Sequence, residues 1–327
     1  MKAIVARDFG PIDQLDYADW PEPVAQGRTV VIEADAIGVN FPDGLLVQGL
    51  YQMKPPTPFV PGMEVAGKVV AVGDAVTGFK VGDRLASVSS LGAYAEKVGA
   101  DQSSVMKLPD EISSEDACAL MCAYGTSHYA LKQRGQLQTG ETLCVLGASG
   151  ATGVAAVQIG KAMGATVIGV ASTEEKRAIA KSAGADVVLG YEGLKDALKE
   201  ATGGKGVDVA FDPVGGDGFD VLSRSMGWGG RLLVIGFASG TIPKLPVNLT
   251  LVKSYSVVGV FWGAFTQKEP SAYAENMKEL IGWYLAGKVK PVIEGVYPLK
   301  DAASVLQRVL GRGASGKIIL KPQGGVT

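Results

Sequence analysis

GASGATG, Gly147–Gly153, follows the apolar run ETLCVL (Glu141–Leu146) and opens the helical pattern VAAVQIGKAMG (Val154–Gly164). Strand, glycine turn and helix in that order is the setting of a dinucleotide-binding loop. Gly150 lets backbone approach a pyrophosphate, and Gly153 lets the helix sit close to the strand. The helix N-terminus then offers free N–H groups and the positive end of its dipole to phosphate. Ala148 stands where the usual fingerprint has its first glycine, so the motif reads AxGxxG.

From Glu141 onward, strands and helices alternate. The strands are TLCVLG, TVIGVA (Thr166–Ala171), DVVLGY (Asp186–Tyr191), VDVAFDPV (Val207–Val214), RLLVIGF (Arg231–Phe237) and YSVVGVFWG (Tyr255–Gly263). Continuous apolar strands joined by helices predict a doubly wound α/β parallel sheet covered on both faces. Ligands of such sheets lie beyond the carboxyl ends of the strands. Small residues gather there at Gly147–Gly153, Ala171–Thr173, Asp212–Gly215, Gly236–Gly240 and Phe261–Gly263, which together outline a groove for an extended cofactor.

The first 120 residues read differently. AIVAR (Ala3–Arg7), TVVIEADAIGV (Thr29–Val39), VAGKVVAVG (Val65–Gly73) and DRLASVS (Asp83–Ser89) are strand-like, and Pro and Gly punctuate them, as in KPPTPFVPG (Lys54–Gly62). They predict an irregular all-β unit. A helix starts at Ser113 or Ser114. After Gly263 come an amphipathic helix over Ser271–Gly287, VIEGVYPL, the helix AASVLQRVL and a last strand KIILKP, read as a return to the first domain.

Size and composition narrow the function classes. At 327 residues, with 47% apolar and 20% charged residues and 45 glycines, the chain suits a two-domain α/β enzyme. A net charge of −2 gives no electrostatic reason to expect nucleic acid or an anionic membrane as partner. There is no uncharged apolar stretch of about 18 residues to span a bilayer. Arg7 and Asp8 stand where a signal peptide has its apolar core, so the expected location is cytoplasmic. Cys118, Cys122 and Cys144 lack zinc-ribbon spacing and read as buried small hydrophobes.

Cofactor choice rests on the end of the second strand of the parallel sheet. NAD sites usually place a carboxylate there for the ribose 2′-hydroxyl. This chain has Ala171, Ser172 and Thr173. Glu174 and Glu175 follow, and Ser172 with Glu175 reads as a capping box. Lys176, the hydroxyls of Ser172 and Thr173, and Tyr191 are placed to receive a 2′-phosphate, so NADPH is expected over NADH.

With these pieces in place the chain resembles the zinc-independent quinone oxidoreductases of the medium-chain dehydrogenase/reductase superfamily, the group that includes zeta-crystallin. The resemblance is nearly full-length. It is carried by GVNFPDGLLVQGLYQMKPPTPFVPGMEVAGKVVAVG (Gly38–Gly73), AYGTSHYAL (Ala123–Leu131), the glycine loop, and GWGGRLLVIGFASG (Gly227–Gly240). It implies a GroES-like β domain (1–122 and 265–327), a Rossmann domain inserted at 123–264, NADPH as cofactor, and a homodimer formed through the last Rossmann strand.

The resemblance also implies the site. Tyr51 and Asn40 are the catalytic candidates: Tyr51 donates to an oxyanion developing on the acceptor, and Asn40 orients cofactor or substrate. Asp43 either caps the short helix that follows or touches cofactor. Leu45 and Leu46 stand where relatives often carry a second tyrosine. Cofactor contacts are expected from Asn40, Thr126, Ser149, Gly150, Ala151, Thr152 and Gly153. The second strand end adds Ser172, Thr173, Lys176 and Tyr191. The remaining rim adds Val214, Gly215, Ile235, Gly236, Phe237, Ala238, Val260, Phe261, Trp262 and Gly263, and the last strand adds Lys317. No metal is expected: the three catalytic zinc-ligand positions of the zinc alcohol dehydrogenases fall on Asn40, Met63 and Cys122, and their four-cysteine lobe is missing.

The expected reaction is hydride transfer from NADPH to a quinone or an activated enone, with the enolate or oxyanion held by hydrogen bonds. An enoyl or alkenal reductase, and a non-catalytic NADPH-binding protein of crystallin type, remain as alternatives.

Overall fold

The computed structural model describes residues 1–89 and 91–322. Two compact units emerge: Met1–Cys122 together with the segment from Ile293 onward, and Ala123–Val292.

The first unit begins with β1 (Lys2–Val5) and β2 (Asp16–Asp19), an antiparallel pair. Its long strand β3 (Thr29–Val39) pairs antiparallel with both β4 (Glu64–Val72) and β6 (Lys97–Asp101). β5 (Arg84–Val88) and β7 (Val105–Lys107) extend the sheet from β4. Val30, Ile32, Ile37, Val65, Leu85 and Val98 fill its core. β3 alternates only over Ile32–Ala36; Val30–Ile32 and Ala36–Val39 are buried on both faces. The expected helix start is real, with Ser113 as N-cap accepting from the Asp116 N–H.

The second unit holds the six expected strands. They are β8 (Thr142–Leu146), β9 (Thr166–Val170), β10 (Val187–Leu189), β11 (Val207–Asp212), β12 (Met226–Val234) and β13 (Ser256–Gly259). All pair in parallel, in the order β10-β9-β8-β11-β12-β13. Read from β8 as the first strand, this is the 3-2-1-4-5-6 order of a Rossmann sheet, with its switch point between β8 and β11.

The chain then returns. β14 (Ile293–Pro298) and β15 (Lys317–Lys321) join the first unit's sheet, with β15 lying between β14 and β3. The architecture is therefore a GroES-like β unit made from both ends of the chain, with a Rossmann unit inserted between them.

Three local expectations are corrected. The return comes at Ile293, not at residue 265. The helix Pro270–Leu285 buries Met277 and Leu280 in the second unit, Gln133 donates to Asn276 at 2.7 Å, and Glu279 binds His128 and Lys132. The strand expected over Tyr255–Gly263 stops at Gly259, and Trp262 opens a helix to Lys268. That turn buries the indole so closely that a Cβ on Gly125 would lie 2.8 Å from the Trp262 ring. Cys118 and Cys144 are buried as expected, but Cys122 is only half-buried.

Candidate active site

In the second unit, the glycine loop joins β8 to a twelve-residue helix, Ala151–Ala162. Gly150 is its N-cap, and no side chain caps it. The first N–H groups of this helix are therefore free of side-chain partners, at the switch point of the sheet. A Cβ on Gly150 would meet only the Gly147 carbonyl, at 3.5 Å, so the approach to the helix end is open. Gly153 is different: a Cβ there would lie 2.1 Å from the Gly147 oxygen and 2.8 Å from the Ala148 Cα. Its missing side chain sets how close the helix comes to the strand. Ser149 is buried beside the loop, and Ala151 and Thr152 are half-buried at the helix start. The Thr152 carbonyl accepts from Ser127 Oγ at 2.9 Å, next to half-buried Thr126.

The loop after β11 is built by Asp212. Its carboxylate is buried and accepts from the Val214 and Gly215 N–H groups, both at 2.8 Å. Burial pushes its pKa up, and those two N–H groups oppose the shift. Ile235, Gly236 and Ala238 follow β12 half-buried, and Phe237 is exposed. Ile235 and Ala238 donate to the carbonyls of Asp212 and Pro213. After β13, Val260 is half-buried, Phe261 and Gly263 are exposed, and Trp262 is buried with its indole N–H unpartnered.

At the end of β9, Ser172 and Thr173 are exposed. The N-cap of the following helix is Thr173, whose hydroxyl accepts from the Lys176 N–H at 3.3 Å, so Ser172 is not the cap. Lys176 itself stands half-buried one turn into that helix. The Tyr191 hydroxyl accepts from the Gly147 N–H at 3.3 Å, which ties the end of β10 to the glycine loop. Arg177, not singled out from sequence, reaches the Ala171 carbonyl at 3.5 Å and brings a guanidinium to this strand end. Its signal was simply a second base beside Lys176.

The first unit holds a separate polar cluster. Asn40 follows β3 directly and is the N-cap residue of the helix Phe41–Val47. Asp43 caps that helix by accepting from the Asn40 N–H at 2.9 Å, and Tyr94 donates to the same carboxylate oxygen at 2.8 Å. Burial raises the Asp43 pKa to about 7 against these bonds. Lys317 is 2% exposed, donates to Asn40 Oδ1 at 2.8 Å and forms an ion pair with buried Glu64. Burial works against the Lys317 charge, and the Glu64 carboxylate together with the neighbouring Cys122 and Cys118 outweighs it, holding the ammonium above the ordinary lysine range.

Tyr51 is half-buried against the small core of Ala6, Leu46 and Phe59. Burial first, then the nearby Cys122 and Asp43, raises its pKa above the ordinary value of 10.0, so its hydroxyl stays a donor. Leu46 is core and Leu45 half-buried, so neither offers a second hydroxyl there.

Glu64 escaped sequence reasoning. The signal was available: one acid heads the apolar run of β4, and the structure sets it opposite a glycine of β3.

A divalent metal does not fit this cluster. Asn40 and Met63 are weak donors, and the Asn40 oxygen already faces a buried ammonium, whose charge repels a cation. Among the described residues no group of three or more His, Cys, Asp and Glu side chains could hold a metal ion.

Residues 26–110 match the alcohol dehydrogenase GroES-like domain family, and residues 151–281 match the family described as zinc-binding dehydrogenase. The chain is 37% identical over 303 residues to "Quinone oxidoreductase-like protein 2" of Rattus norvegicus, covering 92% of this chain and 86% of that one. It is 34% identical over 327 residues to the human "Quinone oxidoreductase", covering 98% of this chain and 97% of the relative. The solved structure of Escherichia coli quinone oxidoreductase complexed with NADPH superposes with a TM-score of 0.91 at 30% identity, covering 98% of this chain and 100% of that chain. Sheet order, glycine loop, both domain families and near full-length relatives agree: the chain is an oxidoreductase and belongs to the zinc-independent, quinone oxidoreductase-like family of the medium-chain dehydrogenase/reductase superfamily.

Proposed function

We propose that this oxidoreductase transfers hydride from NADPH to quinones and related activated enones. The observation that carries the reading is the character of the first unit's polar cluster. It offers hydrogen-bond donors: Asn40 Nδ2 on an amide held by a buried ammonium, and the Tyr51 hydroxyl, which feels the Asp43 carboxylate. Donors stabilise the oxyanion that forms when hydride reaches a quinone or the β-carbon of an enone. The near full-length likeness to quinone oxidoreductases supports the choice of acceptor.

NADPH fits the second unit. The uncapped helix start at Gly150–Ala151 suits the pyrophosphate, and the Thr173–Lys176 turn with Arg177 nearby suits the 2′-phosphate. When bound, NADPH supplies the hydride. This chain's residues do the rest: the loop after β11 and the loops after β12 and β13 hold the cofactor, Asn40 orients a carbonyl, and Tyr51 donates a hydrogen bond to the developing charge.

The test is NADPH oxidation with 9,10-phenanthrenequinone, 1,4-benzoquinone, 2-hexenal and crotonyl-CoA. The quinones are expected to turn over fastest, and NADPH to bind at least about tenfold more tightly than NADH. A charge-assisted phosphate contact is worth about 1.5–3 kcal/mol, so Lys176→Ala should weaken NADPH by about one to two decades and leave NADH unchanged. A preference for crotonyl-CoA would make the chain an enoyl reductase. Tight NADPH binding with no turnover of any acceptor would make it a binding protein.

The reading extends to assembly and place. No helix among the described residues is long and apolar enough to cross a membrane. We infer a homodimer through β13, the outermost strand of its sheet, because an unpaired strand edge invites pairing. Leu251 and Val252, just before it, are 81% and 68% exposed. Sedimentation velocity at micromolar concentration should give a dimer; a monomer would remove the inference. The cytoplasm suits a reductase supplied with NADPH, and fractionation of the source cells would test it.

A further inference from the structure

Lys317 is an ammonium buried on a sheet strand, and two other segments meet it. β15 runs antiparallel to β3 with Ile318 opposite Val39, so the next step in the register sets Lys317 against Asn40. Its Nζ donates to Asn40 Oδ1 at 2.8 Å and pairs with Glu64. Glu64 lies opposite Gly38 across β3 and β4. A Cβ at position 38 would fall 1.9 Å from Glu64 Oε1, so the glycine is what admits the carboxylate. The Cys122 N–H donates to the other Glu64 oxygen at 3.0 Å.

This arrangement decides which way the Asn40 carboxamide points. An amide offers an acceptor at one end and donors at the other, and a lysine ammonium has no acceptor. Oδ1 therefore faces Lys317, which leaves Nδ2 as the donating end. Nδ2 is buried and completes no hydrogen bond of good geometry, although the amide lies close enough to the Glu64 carboxylate to help hold its charge. An unpaired buried donor is costly, so its orientation is imposed by the bond at the other end.

We propose that Lys317 and Glu64 are positioning residues that hold Asn40 Nδ2 ready to donate to a carbonyl oxygen, that of the nicotinamide carboxamide or that of the acceptor. The resemblance assigns Lys317 to the cofactor itself; the geometry has it act through Asn40. The inference rests on the role given to Asn40 in the proposed reduction.

The experiment compares Lys317→Met, Lys317→Arg, Asn40→Ala and the double variant Lys317→Met/Asn40→Ala. Three readouts are taken: the Asn40 side-chain NH₂ signals by nitrogen-15 NMR of the protein alone, NADPH affinity by fluorescence, and single-turnover hydride transfer to 9,10-phenanthrenequinone. Lys317→Met should shift the Asn40 NH₂ signals. It should also lower either NADPH affinity, if the nicotinamide carbonyl is the acceptor, or the hydride rate at unchanged affinity, if the quinone is. A loss of about tenfold or more is expected for a charge-assisted arrangement. Adding Asn40→Ala should cost nothing more, and Lys317→Arg should keep most of the function.

Multiplying losses in the double variant, or unmoved Asn40 signals, would overturn the proposal and return Lys317 to direct cofactor contact. Lys317→Met leaves Glu64 buried and unpaired, so Glu64→Gln/Lys317→Met, which removes both charges, is read the same way if the single variant does not fold. Absence of turnover in the unaltered protein would sink the proposed reaction, while the NMR shift and the NADPH affinities would still decide this inference.

Discussion

Replacing Tyr51 by Phe lowers the rate of hydride transfer to an enone by about 10²–10³-fold while NADPH affinity stays within about twofold. The range is what loss of one oxyanion donor costs, about 2.7–4 kcal/mol when the charge depends on it fully. Tyr51 qualifies because its pKa lies above the ordinary tyrosine value, so the hydroxyl keeps its proton throughout the working range and its own ionisation puts no inflection below about pH 10 in the rate profile. Affinity is spared because the bond strengthens only as charge develops. Quinones accept hydride more readily than enones and lean less on the donor, so a loss of about tenfold is expected for them. Single-turnover stopped flow on NADPH absorbance separates this step from product release. Equal rates for Tyr51→Phe and the unaltered protein with both acceptor types would reduce Tyr51 to a packing residue.

The second large effect belongs to Gly153. A methyl group there would sit 2.1 Å from one backbone atom and 2.8 Å from another, and neither can swing aside as a flexible side chain would. Gly153→Ala must push the helix Ala151–Ala162 off β8, opening the packing of Val154, Ala155 and Val157. Overpacking of this kind costs about 1–3 kcal/mol or more, which lowers the melting temperature of a unit this size by roughly 5–10 °C. The displaced helix also carries its N–H groups away from the pyrophosphate, so NADPH affinity should fall by at least about tenfold. Calorimetry and a fluorescence titration check the two halves. Unchanged melting together with unchanged affinity would show that the loop tolerates the methyl and that the close approach does not shape the site.

Local pattern carried much of this structure into view. The run Thr29–Val39 is one strand from end to end, and the six apolar runs after Glu141 became the six parallel strands. Ser113 announced its helix because a hydroxyl followed by acids satisfies free N–H groups using neighbours alone. What pattern missed depended on distant partners. Met277 and Leu280 make the helix Pro270–Leu285 amphipathic in any setting; only Asn276 meeting Gln133 and Glu279 meeting His128 assign it to the second unit. Trp262 packs against Gly125, well over a hundred positions earlier, where only a glycine leaves room for the indole. Ser172 and Thr173 are equivalent caps by composition, and backbone geometry chose Thr173. Glu64 and Lys317 each look anomalous in an apolar strand, and become intelligible only as a pair.

The place of β15, between β14 and β3, orders the birth of the molecule. A ribosome makes β3 early and must then spell out all of Ala123–Val292 before the strand that completes its sheet exists. At about 5–20 residues per second the inserted unit alone adds roughly 10–30 s to that wait. The inserted unit is one uninterrupted stretch and can close on itself meanwhile, whereas β3 keeps an open edge and Asn40 has no lysine. Nascent chains halted after Val292 should therefore yield a protease-resistant core from the inserted unit alone, and the head of the chain should become resistant only once Lys317–Lys321 has emerged.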